Sequence, residues 1–544
     1  MRLPNFISAK LACAAALCAA APAAAQDGSP VGEGRAVAVQ PYIEVSQVVL
    51  AELSPGDDVL TYTQVAVGVD ASLAGRNNGG SVSVRYERNI GYGDDALDSD
   101  TISGVARGYA SIVPNVLTLE AGALASRTTV DGNGGTSINP LVGSDSESRI
   151  YSLFAGPNVH TRVGDVQVNA LGRVGYTRLE SPDAIPVAGG GTLDLFDDSV
   201  TYRGEVHLAT KPGEPLPVGL GVGGGFFQED ISNLDQRVRD AHVRADVTVP
   251  VSPTLAVVGG VGYEDVEISS RDALRDAGGF PVIGSDGRLV TDKSSPRQIA
   301  YEVDGLIWDV GVIWRPSRRT ALEAHVGRRY DSTTYYGTFA WTPNPTSQVN
   351  ISAYDGVSGF GGVLTNSLAG LPTQFKAVRN SLTGDFNGCV AGETGANCVG
   401  GVFGSARSAV FRGRGIQASY SKRLGRYNAS FAAGYDRRKF IAATGTILAS
   451  ANGIVDESYY VTSSLDGELG PNAGFSVSSY VNWFESGAPG AGDVVALGSS
   501  AAYRRTIGPN LSARAAIALD YLDSDISSED IKAASVLLGL RYDF

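Results

Sequence analysis

Methionine is nearly absent from this chain, with one in 544 residues, and cysteine is scarce at four. Charged residues make up only 18%. Beyond the first 25 residues no stretch offers the roughly 18 uninterrupted apolar residues that a membrane-crossing helix needs. The mean hydropathy near zero excludes a bundle of such helices. The formal charge of −14 and the scattered arginines exclude a nucleic-acid partner, because neutralising phosphates takes clustered cations. What the sequence has instead is 69 Gly, 23 Tyr and 17 Phe, a composition suited to many strands joined by tight turns. In a chain that alternates apolar and polar side chains, hydropathy cancels in the mean, as it does here.

The first residues read as a targeting segment. Arg2 and Lys10 supply positive charge, Leu11 to Ala21 form a short apolar stretch, and Pro22 breaks any helix. Ala23-Ala24-Ala25 before Gln26 is a small-residue cleavage pattern. Leu17 before Cys18, and Lys10 ahead of Cys13, are poor matches to a lipid-attachment site, so clean cleavage is expected. The expected division is residues 1–25 as signal peptide, 26–38 as a short periplasmic segment and 39–544 as one unit. Cys389 and Cys398 then remain, close together in a Gly-rich stretch of an exported chain, and read as a disulfide. A metal site would need more ligands than that neighbourhood supplies.

From Pro41 to Phe544 a unit recurs: a turn, a strand of about ten alternating residues, a loop and a returning strand. The turns carry turn chemistry at Pro114-Asn115, Gly164-Asp165, Ser252-Pro253, Ser317-Arg318-Arg319, Gly425-Arg426, Pro471-Asn472 and Pro509-Asn510. After Gly164-Asp165, Val166, Val168, Ala170, Val174 and Tyr176 share one face, and Gln167, Asn169, Leu171, Arg173 and Thr177 the other. After Arg319, Leu322, Ala324, Val326 and Tyr330 lie opposite Glu323, His325, Arg329 and Asp331. Period two over such lengths is a strand signal, since a helix repeats near 3.6.

Tyr176, Tyr263, Tyr330, Tyr435, Trp483 and Tyr521 each fall about ten residues beyond a turn, on the apolar parity. Ten residues at about 3.3 Å each, tilted near 45°, climb about 23 Å, the height of an outer-membrane apolar band edged by aromatics. The chain ends on Val536, Leu538, Leu540, Tyr542 and Phe544, an alternation closing on an aromatic that matches the signal read by the outer-membrane assembly machinery.

Rising strands are expected near Val39, Gly80, Leu117, Val166, Val218, Thr254, Thr320, Gln348, Tyr427, Ala473 and Leu511, each with a returning partner. The expected fold is therefore all-β, a transmembrane antiparallel up-and-down barrel of about 22 strands, with the short turns periplasmic and the long loops outside. Too few residues precede the first strand for an N-terminal plug domain. An infolded 360–408 loop is the best remaining closure of so wide a lumen.

The segments Pro41-Tyr42-Ile43-Glu44-Val45-Ser46-Gln47, Asp57-Asp58-Val59-Leu60-Thr61-Tyr62 and Tyr86-Glu87-Arg88 resemble the opening strands of a family of outer-membrane β-barrels of exopolysaccharide- and PEP-CTERM-associated type. The resemblance covers roughly the first hundred residues after the leader. It implies an outer-membrane location, with lipid, lipopolysaccharide, the assembly machinery and exopolysaccharide export components as partners, and it carries over no functional residue.

Gly219-Leu220-Gly221-Val222-Gly223-Gly224 spells a dinucleotide fingerprint. A cofactor there needs a helix to follow, whereas Phe226 and Phe227 continue a strand, so no cofactor is expected. Arg173, His242, Arg244, Asp246, Glu323, His325, Arg329 and Arg514 are candidate lumen-lining residues. Glu323 and His325 share a face, as do His242, Arg244 and Asp246, but no nucleophile accompanies them, so no enzyme is expected. The acidic clusters at Asp57-Asp58, at Asp94, Asp95, Asp98 and Asp100, and at Asp523, Asp525, Glu529 and Asp530 match no calcium loop and read as a solvated rim. The function expected from sequence is a pore passing or exporting a hydrophilic solute or polysaccharide. The alternative is a structural or assembly barrel that binds surface polysaccharide or partner subunits through its loops.

Overall fold

Alternation along each segment leaves one solution, a sheet with opposite surroundings on its two faces. The computed structural model describes residues 35–92, 98–130, 136–137, 147–181, 195–392, 395–399, 405–525 and 530–544. The expected leader 1–25, most of the segment 26–38, Asp94, Asp95, Glu529, and most of the loops at 132–146 and 179–198 lie outside those residues.

Twenty-two antiparallel strands, from Arg35–Ser54 to Ile531–Asp543, form one ring. The ring closes where the first strand pairs with the last, Tyr42 opposite Asp543 and Leu50 opposite Ser535. A short strand, Thr136–Ser137, hangs on the end of Leu117–Val130 outside the ring. Closure leaves no long sheet edge within the wall, which is how a barrel satisfies its backbone without water. The rising strands begin at Arg35, Asn78, Leu117, Val166, Gly219, Leu255, Thr320, Ser347, Tyr427, Ala473 and Leu511. Each start is within four residues of its expected place, the largest difference being at Arg35, where the first strand begins before Val39.

The outward parity is apolar and exposed: Val39, Ile43, Val45 and Val49 on the first strand, and Val536, Leu538, Leu540 and Tyr542 on the last. Tyr435, Tyr459 and Trp483 stack side by side across three neighbouring strands, with ring centroids 5.0 and 5.5 Å apart. Tyr330 departs from its expected place in that belt. Tyr330 and Asp331 take left-handed φ values of 54° and 50° and turn the hairpin between Thr320–Arg329 and Ser332–Asn344. Because the turn breaks the strand's parity, the Tyr330 ring is buried and its hydroxyl donates to Asp240 at 2.7 Å, while Asp331 is solvent-exposed.

One end of the ring carries tight turns, with left-handed Gly164, Gly425 and Asn115 supplying the reversals. The other end carries the long connections. There Asp272 accepts a hydrogen bond from the Ile447 amide at 2.8 Å, and Arg288 donates to the carbonyls of Leu179 and Phe196. Leu234, Ala273, Ala442 and Leu448 close a small apolar cluster over this roof.

Candidate functional site

The connection after Ser347–Ser358 is the longest described, and it lies inside the ring. It opens with a helix, Phe360–Gly370. Phe360, Leu364 and Leu368 repeat every four residues and are fully buried, in the same cluster as the wall residues Phe154, Leu179 and Ile231 and the loop residue Phe196. Glu229 fixes the helix start. Its carboxylate accepts the amides of Gly359 (2.7 Å) and Gly362 (2.9 Å) and the Ser199 hydroxyl (3.0 Å), so a negative charge meets the positive end of the helix. A Cβ on Gly361 would fall 2.0 Å from Ser199 Oγ, so glycine is what lets the helix sit this close to the wall. Leu371, extended ahead of Pro372, ends it.

A small three-stranded sheet follows, made of Phe375–Arg379, Phe386–Gly392 and Gly395–Cys398. Cys389 and Cys398 are bonded and face each other across its last two strands. This hairpin touches the wall beside the helix's strands and onward across the seam of first and last strands. Gln374 donates to the Leu73 carbonyl at 2.6 Å, and Arg379 reaches Ser83 (2.9 Å) and Ser103 (3.3 Å). Ser381 meets Ser476 at 3.1 Å, and its carbonyl accepts from Arg514. Leu382 is fully buried among Val48, Tyr62, Ala516, Ala518 and Leu537, directly over the seam of first and last strands. Contacts on strands spread around the ring place the segment across the lumen.

The wall beneath the hairpin carries a continuous chain of paired charges. Arg514 meets Glu44 at 3.0 Å, Glu44 meets Arg85 at 3.1 Å, Arg85 meets Glu87 at 3.1 Å, and Glu87 faces Arg127 at 3.6 Å. Arg127 ends the chain on Asp385 of the infolded segment at 2.8 Å. Buried charges persist only when compensated in this way.

The other expected residues gather in a second network. Arg244 forks onto Asp309 at 2.7 and 2.9 Å and reaches Asp246 at 2.9 Å; Asp246 also meets His207 at 3.0 Å. His325 lies between Asp309 (2.9 Å) and Glu323 (3.3 Å), with Tyr336 stacked on its ring at 4.7 Å. Arg329 reaches Asp240 (2.6 Å), His242 (3.0 Å) and Glu264 (3.1 Å). Arg173 stands apart from both networks, over the Phe154 ring at 5.0 Å, and Arg514 belongs to the first.

The glycine run takes its meaning from these side chains. A Cβ on Gly221, Gly223 or Gly225 would fall within 3 Å of Asp246, His207 or His242, respectively. The glycines let those long side chains lie flat across the neighbouring strand and keep the interior open. A cavity of about 720 Å³ results between the helix and the wall, bordered by Asn366, Asp240, His242, Tyr354, Asp436 and Tyr460. A smaller one of about 250 Å³, bordered by Asn158, Asn169, His207 and Arg244, adjoins it at Glu205 and His242.

Sequence reasoning missed Asp309, Glu264, Asp240, Glu229 and Arg127, each on the inward parity of its strand. A charge flanked by apolar neighbours, as in Ile307-Trp308-Asp309-Val310, was the available signal. Among the described residues no group of three or more His, Cys, Asp or Glu side chains is arranged to hold a metal ion.

No family model matches the chain, and no curated protein matches it. Among solved structures, the FrpB iron transporter from Neisseria meningitidis (F5-1 variant, apoprotein form) aligns at 11% identity and a TM-score of 0.44, covering 93% of this chain and 81% of that one. The ferric-catecholate import receptor Fiu from E. coli K12, in its open form, aligns at 10% and 0.47, covering 95% and 82%. The siderophore receptor PirA from Acinetobacter baumannii aligns at 10% and 0.42, covering 93% and 80%. Likeness at these scores carries no argument, and the barrel rests on its own closed ladder.

Proposed function

We propose that the chain is an outer-membrane β-barrel, exported under its first 25 residues, that passes a hydrophilic solute along the cavity beside its infolded segment. The closed ring, the outward apolar face with its aromatic stack, and the asymmetry of turns and loops support the membrane location. The observation that carries the passage is the placement of residues 359–410. The described residues among them fill part of the lumen, are held to many strands of the wall, and leave between helix and wall a cavity bordered in part by polar side chains. Such a segment narrows a passage that 22 strands alone would leave wide. A saccharide as the solute is the finer reading, and it rests on the sequence resemblance alone.

Conductance of the purified protein in planar lipid bilayers tests the proposal. The intact protein should give small, steady currents, and shortening the segment between Pro372 and Val399 should raise them several-fold. Absence of current from both forms, with the barrel folded, would overturn the passage. The roof, in which Asp272 and Arg288 tie separate loops together, favours a second reading, a barrel whose loop end binds surface polysaccharide or partner subunits. That reading predicts the silent outcome.

A further inference from the structure

The ring is closed through the wall, yet one strand outruns its neighbour. Of the strand Gln298–Ser317, Gln298 to Trp314 pair with Leu255–Ser270, but on the other side the ladder begins only at Trp308, opposite Arg328. The neighbouring hairpin turns back at Tyr330-Asp331. Gln298 to Ile307 therefore present an edge, about 33 Å long at 3.3 Å per residue, that no strand covers. Among the described residues no hydrogen bond reaches the backbone of these residues from the uncovered side. Ile299 and Leu306 on this stretch are strongly exposed.

Its outward face is acidic in an unfavourable way. Asp304 sits directly opposite Asp265, and Glu302 directly opposite Glu267. Like charges in direct cross-strand register repel; Arg239 stands opposite Glu267 on the next strand, but none of the four carboxylates makes an ion pair among the described residues. Only Asp304 has a polar contact, accepting from the Tyr263 hydroxyl at 3.1 Å. Beside the same edge, the Tyr301 hydroxyl is buried with no hydrogen-bond partner among the described residues.

We propose that the edge Gln298–Ile307 is a docking site for a basic, extended polypeptide segment, which adds to it as a further strand. An uncovered edge offers a row of donors and acceptors that only another extended backbone matches. The four carboxylates choose the partner's sign. They also exclude a second copy of this chain, whose Glu302 and Asp304 would meet their own kind. This docking goes beyond solute passage and is independent of it, since the edge lies at the loop end, beyond the hairpin that lines the cavity.

The test uses the full-length protein in detergent micelles and three fluorescent ten-residue probes: an alternating Lys-Thr peptide, its alternate-amide N-methylated form, and an alternating Glu-Thr peptide. The Lys-Thr peptide should bind, and amide hydrogen exchange across residues 298–307 should slow when it does. N-methylation keeps the charge and removes donors, so it should weaken binding at least tenfold. The double variant Glu302→Lys/Asp304→Lys, whose lysines are neutralised by Asp265 and Glu267 opposite, should lose at least tenfold for Lys-Thr while its own peptide-free amide exchange stays that of a folded barrel. Equal binding of the N-methylated peptide, unchanged exchange at 298–307, or a double variant that treats the peptides as the wild type does would each overturn the proposal.

Discussion

Replacing Leu382 by alanine should loosen the infolded hairpin without harming the barrel. Leu382 is fully buried, and every neighbour in its cluster belongs to the wall: Val48, Tyr62, Ala516, Ala518 and Leu537. Truncating a buried leucine costs about 2–5 kcal/mol, through lost transfer energy plus the cavity left behind. Here the loss falls on docking, because the wall's ladder bonds do not involve Leu382. Taking about 3 kcal/mol, the ratio of undocked to docked hairpin rises about a hundredfold, at tenfold per 1.4 kcal/mol. A hairpin undocked about one part in ten thousand of the time would then be undocked near one per cent, often enough to register as brief large-current events in bilayer recordings. Leu382→Met, which keeps the volume, should cost under about 1.5 kcal/mol and leave the record quiet. If Leu382→Ala folds to the same heat-modifiable barrel and its current record matches wild type, the hairpin does not restrict the lumen. The proposed passage would then need another constriction.

Both cysteines should resist thiol labelling in the native protein, and reducing the Cys389–Cys398 bond should increase current noise more than mean current, because the bond restrains the hairpin's last two strands. Val168→Arg should lower folding yield in liposomes far more than Asn169→Arg, since 168 is on the outward parity and 169 on the inward, where it meets His160; Arg facing hydrocarbon costs about 2–4 kcal/mol near the midplane. Equal yields would mean the faces are reversed. The roof should weaken in acid. Partial burial of Asp272 works to raise its pKa, but hydrogen bonds from the Ile447 and Ala273 amides and from Arg275 outweigh it and hold the carboxyl below its ordinary value. A depressed carboxylate contributes stability above its unfolded pKa and loses it as pH falls through the folded one. Hydrogen exchange at 441–454 should therefore quicken below the ordinary carboxylate range, and Asp272→Asn should remove that step. An unchanged acid profile in that variant would refute the assignment.

The wall was legible because its two faces meet opposite surroundings, so every strand prints its period in the sequence. The turn end was legible for a related reason: Gly164-Asp165, Gly425-Arg426 and Pro471-Asn472 announce reversals by the backbone angles those residues accept. Tyr330 was misplaced because parity holds only along a strand, and two left-handed residues end that strand one position early. The infolded segment prints no long period, so its place inside the ring, left as the best closure from sequence, needed three dimensions. The eight candidate side chains could be put on one parity, but not into pairs. Arg244 and Asp309 stand 65 positions apart, and Arg127 and Asp385 stand 258 apart. Only the barrel's curvature and the return of the infolded segment bring them together.

The helix and the tip of that segment are held by different physics, and the difference says which is the easier to open. The helix is fixed by Phe360, Leu364 and Leu368 in a large apolar cluster, and by a buried carboxylate whose removal would strand two helix amides. In the hairpin, Phe386 and Val390 belong to that same cluster, whereas its tip, 380–385, has one apolar anchor, Leu382, and otherwise rests on polar contacts at Ser381 and Asp385. Apolar burial is lost outright when a contact opens, whereas polar groups regain water, so opening costs the tip much less than the helix or the body of the hairpin. Arg127 illustrates this, since Glu87 and Glu147 stay beside it, each at 3.6 Å, when Asp385 departs. The wall's charge chain thus receives Asp385 at the docked tip and would remain compensated by Glu87 and Glu147 without it. A tip that lifts while the helix and the body of the hairpin stay seated would widen the lumen along the seam of first and last strands and leave the cavity beside the helix intact.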